Sequence, residues 1–198
     1  MELYKLTMKI VFASNNKNKI QEIKNQLPKE IELVSLEDIG CFEDIPETAE
    51  TIEGNAILKA NYVTERYNLP CFADDTGLEI EALNNEPGVY SARYAGEQRD
   101  SNDNMDKVLE KLMDIENRKA QFKTVIALNL NNEQYLFTGI VKGNIGIEKV
   151  GNDGFGYDPI FTPENHSITF AEMDLNQKNE ISHRGRAVKQ LIEFLNKQ

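Results

Sequence analysis

The sequence predicts an α/β fold built on a mixed β-sheet. Three observations carry the prediction. In the first half, short apolar runs alternate with stretches of helical periodicity. In the middle, two β-rich runs flank Asn131-Asn132, a hairpin signature that requires antiparallel neighbours. At the end, Ala187, Val188, Leu191, Ile192 and Leu195 mark one apolar helical face.

Each element follows from local pattern. Residues 8–13 read as a buried strand and 14–19 as a polar turn. Ile20, Ile23 and Leu27 then share one helical face, and Pro28 ends that helix. Ile31 to Leu36 alternates like a strand, and residues 37–50 form an acidic loop. Ile52, Ala56, Ala60, Val63 and Tyr67 step by three or four, the clearest helix of the chain, with Asn55, Lys59 and Tyr62 as a neighbouring polar stripe. Asn68-Leu69-Pro70 stops it. Cys71 to Asp74 reads as a short buried strand, Leu78 to Leu83 as a second one, and residues 84–100 as a loop. Met105, Val108, Leu109, Leu112 and Met113 define another amphipathic helix, with Ser101 as N-cap. Phe122 to Leu130 and Gln134 to Lys142 are the hairpin strands. No repeat, low-complexity tract or linker divides residues 1–198, so one domain is expected; Met8 reads as an alternative start that would leave residues 1–7 as a disordered extension.

Composition narrows the classes. A chain of 198 residues with 40% hydrophobic content can bury a sizeable core. No run approaches the ~18 apolar residues of a membrane span. The net charge of −11 argues against general nucleic-acid binding, though a few cations gathered in one cleft can still hold an anion. Cys41 and Cys71 share no metal-type spacing and form no disulfide framework, which suits a reducing, cytoplasmic setting.

Several polar stretches carry candidate chemistry. Ser14, Asn15, Asn16, Lys17, Asn18 and Lys19 follow a strand and open a helix, where amides and the helix dipole favour an anion; an ordinary capped turn is the competing explanation. Asp74 and Asp75 end an apolar run, and adjacent strand residues point to opposite faces. If Asp75 faces a cleft it can bind a divalent cation or take a proton from water, while Asp74 braces the following turn. Thr76 and Gly77 then let the backbone turn and approach a ligand. Glu43, Asp44, Glu47, Glu50 and Glu53 crowd the preceding loop, and spacing alone does not choose a second metal ligand among them. Residues 151–161 hold Phe155, Gly156, Tyr157 and Asp158 in a glycine-rich loop suited to stacking on a base, or to plugging a core. Lys178, His183 and Arg184 form a donor-rich cluster at a helix start, whereas His166 sits alone in a polar loop.

Taken together, SNNKNK, ETIEGNAILKA, FADDTGL, PGVYSARYAG, GNDGFGYDPIF and ISHRGRA occur in the order found in the inosine triphosphate pyrophosphatases, and the resemblance spans residues 8 to 195. The resemblance implies an elongated, two-lobed α/β fold around a long mixed β-sheet with a central active-site cleft. It implies a homodimer and Mg²⁺-dependent hydrolysis of ITP, dITP and XTP to the monophosphate and pyrophosphate. By the same resemblance, the triphosphate loop falls on Ser14 to Lys19, the metal-binding Glu on Glu47, the phosphate-contacting Lys on Lys59 and the catalytic acid on Asp75. The base pocket falls on Phe155 to Asp158, Lys178, His183 and Arg184. Gly54 departs from the family pattern, where many relatives carry Glu; a helical Gly costs up to about 1 kcal/mol relative to Ala unless close packing demands it. The rival readings are a related pyrophosphatase of pyrimidine or modified triphosphates, and a sensor that binds nucleotide without cleaving it.

Overall fold

The computed structural model describes residues 8–197; the expected extension at residues 1–7 lies outside the described residues. Among the described residues eleven helices and strands follow in order: β1 (Met8–Phe12), α1 (Lys17–Lys24), β2 (Ile31–Val34), α2 (Ile52–Tyr67), β3 (Cys71–Ile80), α3 (Ser101–Lys111), β4 (Lys119–Leu130), β5 (Glu133–Ile145), β6 (Phe161–Pro163), α4 (Leu175–Ile181) and α5 (His183–Leu195). The six strands are ordered β2-β1-β3-β4-β5-β6. β1 runs parallel to β2 and β3, and β5 pairs antiparallel with β6, so the sheet is mixed as the patterning predicts. Among the described residues no helix is long and apolar enough to cross a membrane.

The chain divides into two compact units. The first takes the residues up to Asp75, then Val125–Phe137 and the stretch from Ala187 onward. Its core gathers Ile10, Phe12, Ile23, Phe72, Ile126 and Leu191, with Phe12 and Phe72 stacked at 4.8 Å between ring centroids. The second takes Thr76–Thr124 and Thr138–Arg186, with a core around Leu78, Val108, Phe122, Phe161 and Phe170.

Several local expectations change; β2 ends at Val34 and β4 begins at Lys119. Cys71 to Ile80 is a single strand, so Asp74 and Asp75 lie within β3 and not at its end. The two charges do not break the strand because each carboxylate meets a lysine. Asp100, not Ser101, caps α3: its Oδ1 accepts from the amides of Asn102 and Asp103. α1 closes at Lys24, before Leu27, with Asn25 as its C-cap. Met113 lies beyond α3 and is largely exposed. The hairpin turn is as expected, with Asn131 and Asn132 both at positive φ (54° and 63°).

Candidate active site

In the first unit, α2 begins at an N-cap Thr51 whose Oγ1 accepts from the Gly54 amide at 3.0 Å. Two turns on, Lys59 is carried into the protein and is only 6% exposed. Its Nζ lies 2.5 Å from Glu47 Oε1 and 3.4 Å from Asp75 Oδ1. Asp74 is fully buried, and its Oδ1 accepts from Lys19 Nζ at 3.0 Å. The two adjacent acids thus meet different cations, as the alternation of a strand requires.

Burial pushes the Asp75 carboxyl above the ordinary aspartate range; Lys59 and Lys19 pull it down, while Glu47 and Asp74 add to the rise. Burial works against the charge on Lys59, yet the carboxylates of Asp75, Glu47 and Asp74 outweigh it and hold the ammonium above its usual value. Three carboxylates face two ammonium groups here, a local excess of negative charge that suits a cation. Among the described residues no three His, Cys, Asp or Glu side chains gather as a metal cage. Two hard carboxylate donors, Glu47 and Asp75, would nevertheless fit a Mg²⁺-type ion, which prefers oxygen ligands.

The turn before α1 is partly spoken for. Ser14 Oγ accepts from the Asn16 amide at 3.2 Å, and Asn16 Oδ1 accepts from the amides of Asn18 and Lys19 at 3.0 and 3.2 Å. Those two amides are capped by the Asn16 side chain, while Asn15, Asn16, Lys17 and Asn18 are exposed.

In the second unit, Asp158 organises the glycine-rich loop. Its Oδ2 accepts from the Phe155 amide at 2.7 Å and from Lys178 Nζ at 2.6 Å. Gly154, at φ +73°, leaves the room this needs: a Cβ there would meet Asp158 Oδ2. The half-buried Phe155 ring has Lys178 Nζ at 4.9 Å and the Arg184 guanidinium at 5.5 Å from its centroid, both cation–π distances. Arg184, 1% exposed, donates from Nη2 to Thr76 Oγ1 at 3.1 Å, and the Thr76 and Thr124 hydroxyls are 2.6 Å apart. His183 stacks on Phe122 at 4.5 Å. Tyr157 is buried, and its hydroxyl donates to the Ser91 carbonyl at 2.8 Å, so it plugs the core under the loop while Gly156, at φ +65°, turns the chain above it.

The first unit therefore brings together Lys19, Glu47, Lys59, Asp74 and Asp75, and the second brings together Thr76, Phe155, Asp158, Lys178, His183 and Arg184. His166 lies outside both, its Nδ1 3.0 Å from its neighbour's carbonyl, Glu164 O. Thr124 was not singled out in the sequence; only its inward register in β4 distinguishes it, and that register is visible once the strand is known to start at Lys119.

A family model described as the Ham1 family matches residues 10–194. The chain belongs to the Ham1 family. It is 68% identical over 187 residues to the dITP/XTP pyrophosphatase of Flavobacterium psychrophilum, covering 94% of this chain and 98% of that one. It is 54% identical over 188 residues to the dITP/XTP pyrophosphatase of Porphyromonas gingivalis, covering 94% and 97%. Among solved Ham1 structures, that from Coxiella burnetii superposes with a TM-score of 0.90 at 42% identity, covering 96% of this chain and 100% of that one. The Staphylococcus aureus Ham1 protein superposes with a TM-score of 0.87 at 42% identity, covering 95% and 98%.

Proposed function

We propose that this protein is a Mg²⁺-dependent nucleoside triphosphate pyrophosphohydrolase that converts ITP, dITP and XTP to the monophosphate and pyrophosphate. The observation that carries the reading is Lys59 held against both Glu47 and Asp75. The dITP/XTP pyrophosphatases of the two relatives above supply the substrate class.

Glu47 and Asp75 would hold the Mg²⁺, which when bound neutralises phosphate charge and polarises the phosphorus toward attack. Lys59 and Lys19 oppose the negative charge that builds on the triphosphate during cleavage. The exposed side chains of Asn15 to Asn18 and the half-buried Ser14 hydroxyl offer further phosphate donors. Asp75, with a carboxyl raised by burial, orients and deprotonates the attacking water. Attack at the α-phosphorus releases pyrophosphate; attack at the γ-phosphorus would release orthophosphate.

The reading assigns stacking on the base to Phe155. His183 and Arg184 supply donors for the 6-oxo group of hypoxanthine or xanthine, and Thr76 steadies Arg184. Lys178 and Asp158, paired with one another, hold the Phe155 loop. A site built to hydrogen-bond a particular base edge rejects a mismatched one by roughly 10⁴–10⁵. The same reading includes a homodimer, the absence of nucleic-acid binding, supported by the net charge of −11, and a cytoplasmic location, supported by two free buried thiols.

The test is a purified Asp75→Asn variant assayed with ITP and Mg²⁺. Loss of pyrophosphate release with the fold intact supports the reading; near-full turnover removes Asp75 from its role.

A further inference from the structure

The polar stripe of α2 has a partner. Asn55, Lys59 and Tyr62 stand at i, i+4 and i+7, one face of a helix. Each meets the acidic loop that precedes the helix, in reverse order along the chain. Asn55 Oδ1 accepts from the Ala49 amide at 2.9 Å, Lys59 Nζ reaches Glu47 Oε1 at 2.5 Å, and the Tyr62 hydroxyl donates to Glu43 Oε1 at 2.9 Å. Arg66, one turn beyond Tyr62, adds an ion pair to Glu43 at 3.3 Å. The loop is therefore laid antiparallel on the helix and fastened on both sides of Glu47.

Sterics fix the same register independently. A Cβ built on Gly54 would lie 2.6 Å from the Ala49 Cβ and 3.0 Å from Thr51 Oγ1. Real side chains do not approach that closely, so the loop sits where it does only because residue 54 has no Cβ. The glycine that a helix interior otherwise disfavours is here the condition for the Ala49 contact.

We propose that Gly54 and Asn55 are positioning residues for Glu47: they set the height and register of the loop so that its carboxylate meets Lys59, the ammonium that also reaches Asp75. The proposal rests on the reading of Glu47 as a metal-holding carboxylate. Asn55 is 1% exposed, and its contact is to the backbone two residues after Glu47. Neither residue touches the reacting atoms. Their influence passes through the loop backbone, as outer partners of metal ligands do.

The experiment uses the full chain and three variants: Asn55→Leu, which removes the acceptor; Asn55→Asp, which keeps a carboxylate oxygen in its place; and Gly54→Ala, which adds the obstructing methyl. Amide hydrogen exchange at residue 49 reads the fastening directly. Mn²⁺ affinity, read by electron paramagnetic resonance with a non-hydrolysable inosine triphosphate analogue present, reads the placement of Glu47. The half-saturating Mg²⁺ concentration for pyrophosphate release is a third readout. Asn55→Leu and Gly54→Ala are expected to weaken Mn²⁺ binding by about 10–100-fold, the usual effect of disturbing an outer partner, and to speed exchange at residue 49. Asn55→Asp is expected to restore both toward the wild type. Folded variants that lose stability but keep wild-type Mn²⁺ affinity would overturn the proposal, since a merely structural contact behaves that way. Should Asn55→Leu fail to fold, Gly54→Ala decides by the same criterion. A wild type that binds Mn²⁺ and shows the exchange pattern yet releases no pyrophosphate would refute the proposed function and leave the positioning role standing.

Discussion

Lys178 Nζ lies 2.6 Å from Asp158 Oδ2, and both side chains are almost wholly buried. The same oxygen holds the Phe155 amide, so one carboxylate joins α4 to the glycine-rich loop. Removing one member of such a pair strands the other charge in a poorly solvated place. Lys178→Met is expected to destabilise the fold by about 3–5 kcal/mol, and the double variant with Asp158→Asn to cost less than the single one. Chemical denaturation of both variants checks the order. A single variant no less stable than the double one would show that the pair is not coupled.

Phe155 presents its ring beside two cations, and base stacking is the role assigned to it. Phe155→Ala is expected to raise KM for ITP by an amount equivalent to about 1–3 kcal/mol with a smaller change in kcat. Steady-state kinetics make the comparison. An unaltered KM would take Phe155 out of substrate binding.

The acid limb of activity tests the electrostatics around Asp75. Its carboxyl is raised, chiefly by burial, so the ionised form is lost at a higher pH than for an ordinary aspartate as the solution is acidified. Lys59 and Lys19 oppose that rise. Lys59→Met therefore moves the acid limb of kcat/KM further up in pH, measured at subsaturating Mg²⁺. A limb that stays in place or moves down would contradict the arrangement.

Lys59 gives the matching alkaline test. Burial acts against its charge, but Asp75, Glu47 and Asp74 leave its folded pKa above the ordinary lysine value of 10.5. A raised folded pKa contributes stability that is complete below the unfolded value and is lost as pH rises through the folded one. The melting-temperature difference between wild type and Lys59→Met is expected to be constant near neutral pH and to shrink above the ordinary lysine range. A difference that grows there would refute the sign.

Much of this was legible in the sequence because periodicity reports burial. The α2 stripe, the β4–β5 hairpin and the C-terminal helix each follow from spacing alone. What spacing could not give was pairing. Two adjacent aspartates read as a strand end, because nothing local shows that Lys19 and Lys59 will neutralise them from 55 and 16 residues away. Asn55, Lys59 and Tyr62 read as a polar face, but the loop that lies on it has no periodicity of its own. α4 and β6 have seven and three residues, too few for a repeat to register. Lys178 and Asp158 were both assigned to base contact, and their mutual pairing needed coordinates. The family resemblance supplied the roles of Glu47 and Asp75; the residues alone left several acids in contention.

The central claim is pyrophosphate release from a 6-oxopurine triphosphate, and product analysis tests it most directly. Purified protein is incubated with Mg²⁺ and each of ITP, dITP, XTP, ATP, GTP, dTTP and UTP, and the products are separated. The account predicts monophosphate and pyrophosphate from ITP, dITP and XTP, with ATP far slower. Orthophosphate with a diphosphate product, or turnover of ATP or dTTP at the rate of ITP, would contradict it.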